Sequence, residues 1–273
     1  NAPEITSINR KTPSAENTNA DSLIFTVTFS ESVSGITKDD FSVNNSTATV
    51  TNVSSASGTT TDITISGGDL ASLDATVKLN ITDNNSIINA ANVALGGTGT
   101  NNYSSGQTYE VDNTAPTTTI SSIDISADTG SSDTDFLTKT ASQTITATLL
   151  NGLASGEILQ GSINGGTNYI DISSKVSGTN ISWDSVTLSG TTSIKFKVTD
   201  SAGNDGKVVS ENYNLDTTAP ILSKLSPVDD AISIVIDSNL VMTLDSSVIK
   251  GTGDILIKKT SDDSTVETIN ITS

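Results

Sequence analysis

The sequence predicts an all-β chain of β-sandwiches in tandem, two whole and a third incomplete. Ala-Pro recurs at Ala2-Pro3, Ala115-Pro116 and Ala219-Pro220, with the prolines 113 and 104 residues apart, about the length of one sandwich. Between these marks, short runs rich in Val, Ile and Thr alternate apolar with polar positions and stop at Gly, Asn and Asp turns. No run keeps a helical period, so almost no helix is expected.

The punctuation itself is Val111-Asp112-Asn113-Thr114-Ala115-Pro116 and Leu215-Asp216-Thr217-Thr218-Ala219-Pro220. Proline fixes its own φ and pushes the residue before it into extended backbone, so each stretch forms a taut, non-helical joint. Each also places an aspartate where two domains meet. The expected domains are 1–112, 113–216 and 217–273.

In the first domain, Ser22 to Phe29 alternates and reads as a core strand. Ser30 to Gly35 is a turn, followed by Ile36 to Val43, Thr47 to Val53, Thr61 to Ser66 and Thr76 to Thr82 as further strands, with Gly106 to Val111 closing the domain. In the second, strands are expected at Thr117 to Ile125, Gln143 to Leu150, Ile158 to Ile163, Trp183 to Leu188, Ser193 to Thr199 and Lys207 to Leu215. An acidic loop follows the first of these, and Asp200 to Gly206 makes a hairpin loop of residues that tolerate positive φ. The third domain offers only Ile232 to Ile236, Leu240 to Leu244, Ile255 to Lys259 and Thr265 to Ile271, half a sandwich with open edges.

Composition narrows the function. Thirty-one acidic against thirteen basic residues give a net charge of −18, which leaves nothing to neutralise phosphates and excludes nucleic acid as a partner. Asp outnumbers Glu 24 to 7, and Asp is the short carboxylate of turns and calcium loops. The chain has no Cys and no His, hence no disulfide, no thiol nucleophile and no imidazole base. No serine is paired with a base in a known motif, so no enzyme is expected. No run of about 20 apolar residues is present, so no membrane span is expected. The start at Asn1 reads as a segment of something longer.

Several stretches resemble the bacterial Ig-like repeats of large secreted adhesins, the type I-secreted and biofilm-associated surface proteins. They are Phe29-Ser30-Glu31-Ser32-Val33-Ser34-Gly35-Ile36 running to Asp40-Phe41, the Asp112 joint, Ser126-Ala127-Asp128-Thr129-Gly130 running to Phe136, and Val198-Thr199-Asp200-Ser201-Ala202-Gly203-Asn204. Ser226-Pro227-Val228-Asp229-Asp230-Ala231 and Gly251-Thr252-Gly253-Asp254-Ile255 are similar to Ig-like domains of S-layer and other surface proteins. The resemblance implies tandem Ig-like sandwiches in an extended arrangement: an extracellular stalk at the bacterial cell surface with calcium at its joints. Its partners would be neighbouring repeats of the same chain and, through other domains, a host or matrix surface.

Calcium also follows from topology. In an Ig-like sandwich the last hairpin lies at the end where the first strand begins, and the loop after that strand lies at the other end. Asp200, Asn204 and Asp205 therefore belong near Asp112, with Asp21 approaching from the first domain. Asp128, Asp133 and Asp135 belong near Asp216. Carboxylates gathered this way repel unless a hard cation with 6–8 oxygen ligands joins them, and Ca²⁺ suits such loops. The bland reading is that these aspartates are solvated turn formers.

Other features read as structure. Trp183 is expected in the core, Asp39-Asp40 as a turn before a core Phe41, and the glycine-rich stretch 96–101 as a loop. The alternative function is an Ig-like module that itself grips a glycan or protein, with Tyr103, Tyr109, Tyr169 and Tyr213 as the available tyrosines.

Overall fold

The computed structural model describes residues 1–97, 103, 105–130 and 132–272, and the glycine loop lies outside them from Thr98 onward. The chain is all-β, and among the described residues helix is confined to three single 3₁₀ turns.

The first sandwich contains β1 (Ile5–Thr12), β2 (Asn17–Thr18), β3 (Ser22–Ser34), β4 (Phe41–Asn44), β5 (Thr49–Val53), β6 (Ser57–Ser66), β7 (Ala75–Ile81), β8 (Ile88–Asn89) and β9 (Tyr109–Val111). One sheet runs β1-β3-β6-β5, with β8 added on β3, and the other runs β2-β9-β7-β4. Alternation on β3 turns Leu23, Phe25, Val27 and Phe29 inward, where they meet Ile63 and Ile65 of β6 and Val77, Leu79 and Tyr109 of the other sheet. Phe25 and Tyr109 stack edge to face, centroids 5.0 Å apart. Burying the Tyr109 ring strands its hydroxyl unless it bonds, and it lies 2.7 Å from the Pro13 carbonyl and 2.9 Å from that of Ile24.

The second sandwich contains β10 (Ile120–Ile125), β11 (Leu137–Thr138), β12 (Ser142–Leu149), β13 (Ile158–Ser162), β14 (Ile170–Asp171), β15 (Val176–Ser177), β16 (Asn180–Thr187), β17 (Thr191–Thr199) and β18 (Val209–Leu215). Its sheets run β10-β12-β16-β15 and β11-β18-β17-β13-β14. Trp183 of β16 is buried and meets Phe196 of β17 at 6.0 Å, joining the two sheets as a core tryptophan should.

The last domain is two hairpins, β19 (Leu222–Ser226) with β20 (Val241–Leu244) and β21 (Asp254–Lys258) with β22 (Thr265–Asn270). None of its described residues is buried. Leu225, Val228, Ile234, Leu240, Met242 and Ile255 line an open cavity of about 700 Å³.

Three expected elements are corrected. Ser30 to Gly35 is not a turn, because β3 continues through Ser34, pairs with β8 at Val33 and Ser34, and ends only where Gly35 takes a φ of +83°. Ile36 to Val43 begins instead with a 3₁₀ turn at Lys38–Asp40, because Asp40 is buried and its carboxylate accepts from the Thr37 N–H and hydroxyl and from the Ser86 hydroxyl. Phe41 then starts the strand from a buried position, as read. Ile232 to Ile236 is not a strand, since Asp230 and Ser233 take positive φ there, and the strand forms earlier, at Leu222–Ser226.

Compact units do not divide at the two Asp-x-Thr-Ala-Pro joints. One comprises 1–124, 144–185 and 192–212, and the other 125–143, 186–191 and 213–273, so the cut crosses the second sandwich. Each unit thus spans one joint.

A Cβ on Gly161 would lie 2.7 Å from the Trp183 ring and 2.9 Å from Ile172. Gly161→Ala is therefore expected to lower stability by about 1–3 kcal/mol through overpacking, measured by urea unfolding.

Candidate functional site

The two joints are built alike. β2 pairs in parallel with β9 (Asn17 opposite Glu110, Thr18 opposite Val111), and β11 pairs in parallel with β18 (Leu137 opposite Asn214, Thr138 opposite Leu215). The Asp112 N–H donates to the Thr18 carbonyl at 3.0 Å, and the Asp216 N–H donates to that of Thr138 at 2.9 Å. Thr18 and Thr138 are both buried, and each hydroxyl accepts from the N–H two residues on at 3.0 Å. Each joint aspartate then folds its own carboxylate into a turn. Asp112 Oδ1 accepts from the Thr114 N–H and Asp216 Oδ1 from the Thr218 N–H, both at 2.9 Å.

At the first joint the hairpin loop of the second sandwich does reach Asp112. Asp200 Oδ1 accepts from the N–H groups of Ala202, Gly203 and Asn204 at 2.8–2.9 Å, and its Oδ2 accepts from Asn204 Nδ2 at 3.0 Å. The loop needs positive φ at Gly203, +97°. Asn204 Nδ2 also donates to the Asp112 carbonyl at 2.8 Å, and Asn204 Oδ1 accepts from Asn19 Nδ2 at 3.0 Å. The Asn19 N–H donates to the Ala202 carbonyl at 3.1 Å, and Asn17 Nδ2 to the Ser201 hydroxyl at 3.1 Å.

Other sequence-predicted ligands there face elsewhere. Asp21 is exposed. Asp205 accepts from Lys197 at 2.6 Å and from the Thr199 hydroxyl at 2.7 Å. Burial pushes its carboxyl up, but Lys197 and Thr199 outweigh that and hold it below the usual range. One joint residue was not legible in the sequence. Asp74 accepts from the Thr114 hydroxyl and the Asn113 N–H, both at 2.7 Å, and these bonds hold its carboxyl low. No local motif marks Asp74, which precedes Asp112 by 38 residues.

At the second joint the acidic loop lies beside Asp216, as topology predicts. Thr129, Gly130, Leu137, Thr138, Lys139 and Asp216 line a cavity of about 300 Å³, which Ser247, Val248 and Ile249 complete. Asp128 Oδ2 accepts from the Phe136 N–H at 2.8 Å, whereas its Oδ1 is buried with no partner. Asp135 Oδ1 accepts from the Leu137 N–H at 3.0 Å, and a Cβ on Gly130 would lie 3.3 Å from that oxygen. Asp133 is exposed. Among the described residues no three His, Cys, Asp or Glu side chains are gathered as one metal-holding group.

The tyrosines offer little stacking surface. Tyr109 and Tyr213 are buried, Tyr103 bonds the Thr6 carbonyl at 3.3 Å, and Lys197 Nζ sits 4.6 Å from the Tyr169 ring centre. Compared with known protein families and with characterised proteins, the chain matches none.

Because the Asp205 carboxyl is held low in the folded state, its contribution to stability is present above the ordinary aspartate range and is lost as pH falls through the folded value. Asp62 behaves likewise, held low by Lys11 and Thr26 against a burial effect that raises it. Thermal melts between neutral and acid pH should show the midpoint falling at the acid end, with a shallower fall for Lys197→Gln.

Proposed function

We propose that this chain is a stalk segment of a bacterial cell-surface adhesin, a row of Ig-like sandwiches without catalytic activity that spaces an adhesive part from the cell. The observation that carries the reading is the joint geometry repeated at Asp112 and Asp216, where a buried Thr carbonyl fastens the linker to the preceding sheet. Independent globular domains need no such repeated fastening, because their default is free relative motion. A spacer does.

Calcium is assigned to the second joint. The Asp128 carboxylate oxygen that is buried without a donor is costly as it stands, and a hard cation would satisfy it. Asp128 would be one ligand, and Asp216 with the oxygens of Thr129 and Thr138, which line the cavity beside it, would supply others. Ca²⁺ tolerates such a mixed oxygen set and would supply fixed positive charge to a strongly acidic chain.

Calorimetric titration with Ca²⁺ should show binding, and calcium at a hundredfold over its Kd should stabilise the chain by about 2.7 kcal/mol. Small-angle scattering should give a larger maximum dimension with calcium than with chelator, and no change would count against the reading. Asp128→Asn separates the cases. It should abolish the calcium effect if Asp128 is a ligand, and should leave stability equal or higher, with any calcium response intact, if Asp128 is merely an unpaired carboxylate.

A further inference from the structure

We infer that the first joint is a matched pair of surfaces that recognise each other without metal: Asn17-Thr18-Asn19 of one sandwich and the Asp200-Ser201-Ala202-Gly203-Asn204 loop of the next. Of the groups expected to hold a cation at this joint, Asp21 is exposed and the others already accept hydrogen bonds. Asp200 receives three N–H groups on one oxygen and an amide on the other, and Asn204 Oδ1 takes the Asn19 amide. Asp112 Oδ1 takes the Thr114 N–H, and Asp205 is turned to Lys197. A carboxylate supplied with this many donors is stable as an anion without a counter-ion.

The recognition is specific in its chemistry. Three contacts cross from the first sandwich to the loop: the Asn19 N–H to the Ala202 carbonyl, the Asn19 amide to Asn204 and the Asn17 amide to Ser201. Asn204 then closes the circuit by donating to the Asp112 carbonyl in the linker. Side-chain amides suit this task because each both donates and accepts, so one residue satisfies a group on either side. Gly203 gives the loop its turn, since its φ of +97° is one that L side chains rarely adopt.

The second joint gives the contrast. Its parallel strand pair places Leu137 where the first joint has Asn17, and Lys139 where it has Asn19. Neither is an amide, so the end of the second sandwich cannot make the two amide side-chain contacts to any loop. The partner class for the Asn17–Asn19 surface is therefore a sandwich carrying an Asp-x-Ala-Gly-Asn loop. The inference does not depend on calcium at the second joint, and the two can fail separately.

The chain has no cysteine, so Asn52→Cys and Asn151→Cys, both at exposed positions on the first and second sandwiches, give a unique pair of spin labels across the first joint alone. Electron–electron double resonance should return one narrow distance distribution, equal in calcium and in chelator. Asn17→Ala with Asn19→Ala should broaden it at least about twofold, since unlatched domains move freely. Circular dichroism of that variant checks that both sandwiches remain folded, and Asn204→Ala should act in the same direction. A distribution that is narrow in calcium and broad in chelator would overturn the inference in favour of a metal joint. A distribution that stays narrow in the folded double variant would overturn it in favour of backbone contacts.

Discussion

The Asp112 N–H donating to the Thr18 carbonyl, and the Asp216 N–H donating to that of Thr138, are the contacts on which both joints depend. Without them the linker would leave the closing strand at Val111 or Leu215 and swing from there. With them it is held on the sheet through the aspartate, then passes through a side-chain turn and reaches proline within a few residues. Ordering a residue costs about 1–2 kcal/mol of backbone entropy. The buried threonine and its two bonds offset that cost locally, and proline lowers it by restricting the free chain as well. The same geometry puts the residues flanking each threonine at the sandwich end. Their identity then decides what the joint can do: amides at the first, Leu137 and Lys139 at the second.

Much of this was legible because proline and aspartate act locally. Asp-x-Thr-Ala-Pro specifies extended backbone and a side-chain turn whatever surrounds it, and both copies take that form. Alternation marked β3 and the buried Trp183 because each is long or large enough to leave a signal. The pairs Asn17–Thr18 and Leu137–Thr138 left none, since two residues carry no period, and their parallel partners lie far along the chain. Topology brought Asp200 and Asn204 to Asp112, and Thr129 and Gly130 of the acidic loop to Asp216. It could not say where each carboxylate points. That is settled by neighbours such as Lys197, which faces Asp205 from β17, and by the backbone N–H groups inside the 200–204 loop.

Charge makes the distinction between the joints a physical one. A chain at −18 works against any close approach of its parts, so each joint must stabilise its own carboxylates. Donors can do it: Asp200 has four, all from its own loop. Asp128 has one, on Oδ2, and its buried Oδ1 has none. Sequence treats the two residues alike, as aspartates in turn-rich loops at opposite ends of one sandwich. The number of N–H groups that the folded backbone aims at each carboxylate separates them, and that number is set by loop shape: a tight Gly203 turn in one case, a wider loop carried by Gly130 and Phe136 in the other. A short loop that turns its N–H groups inward closes a joint by itself. A wider one leaves a buried oxygen without a donor.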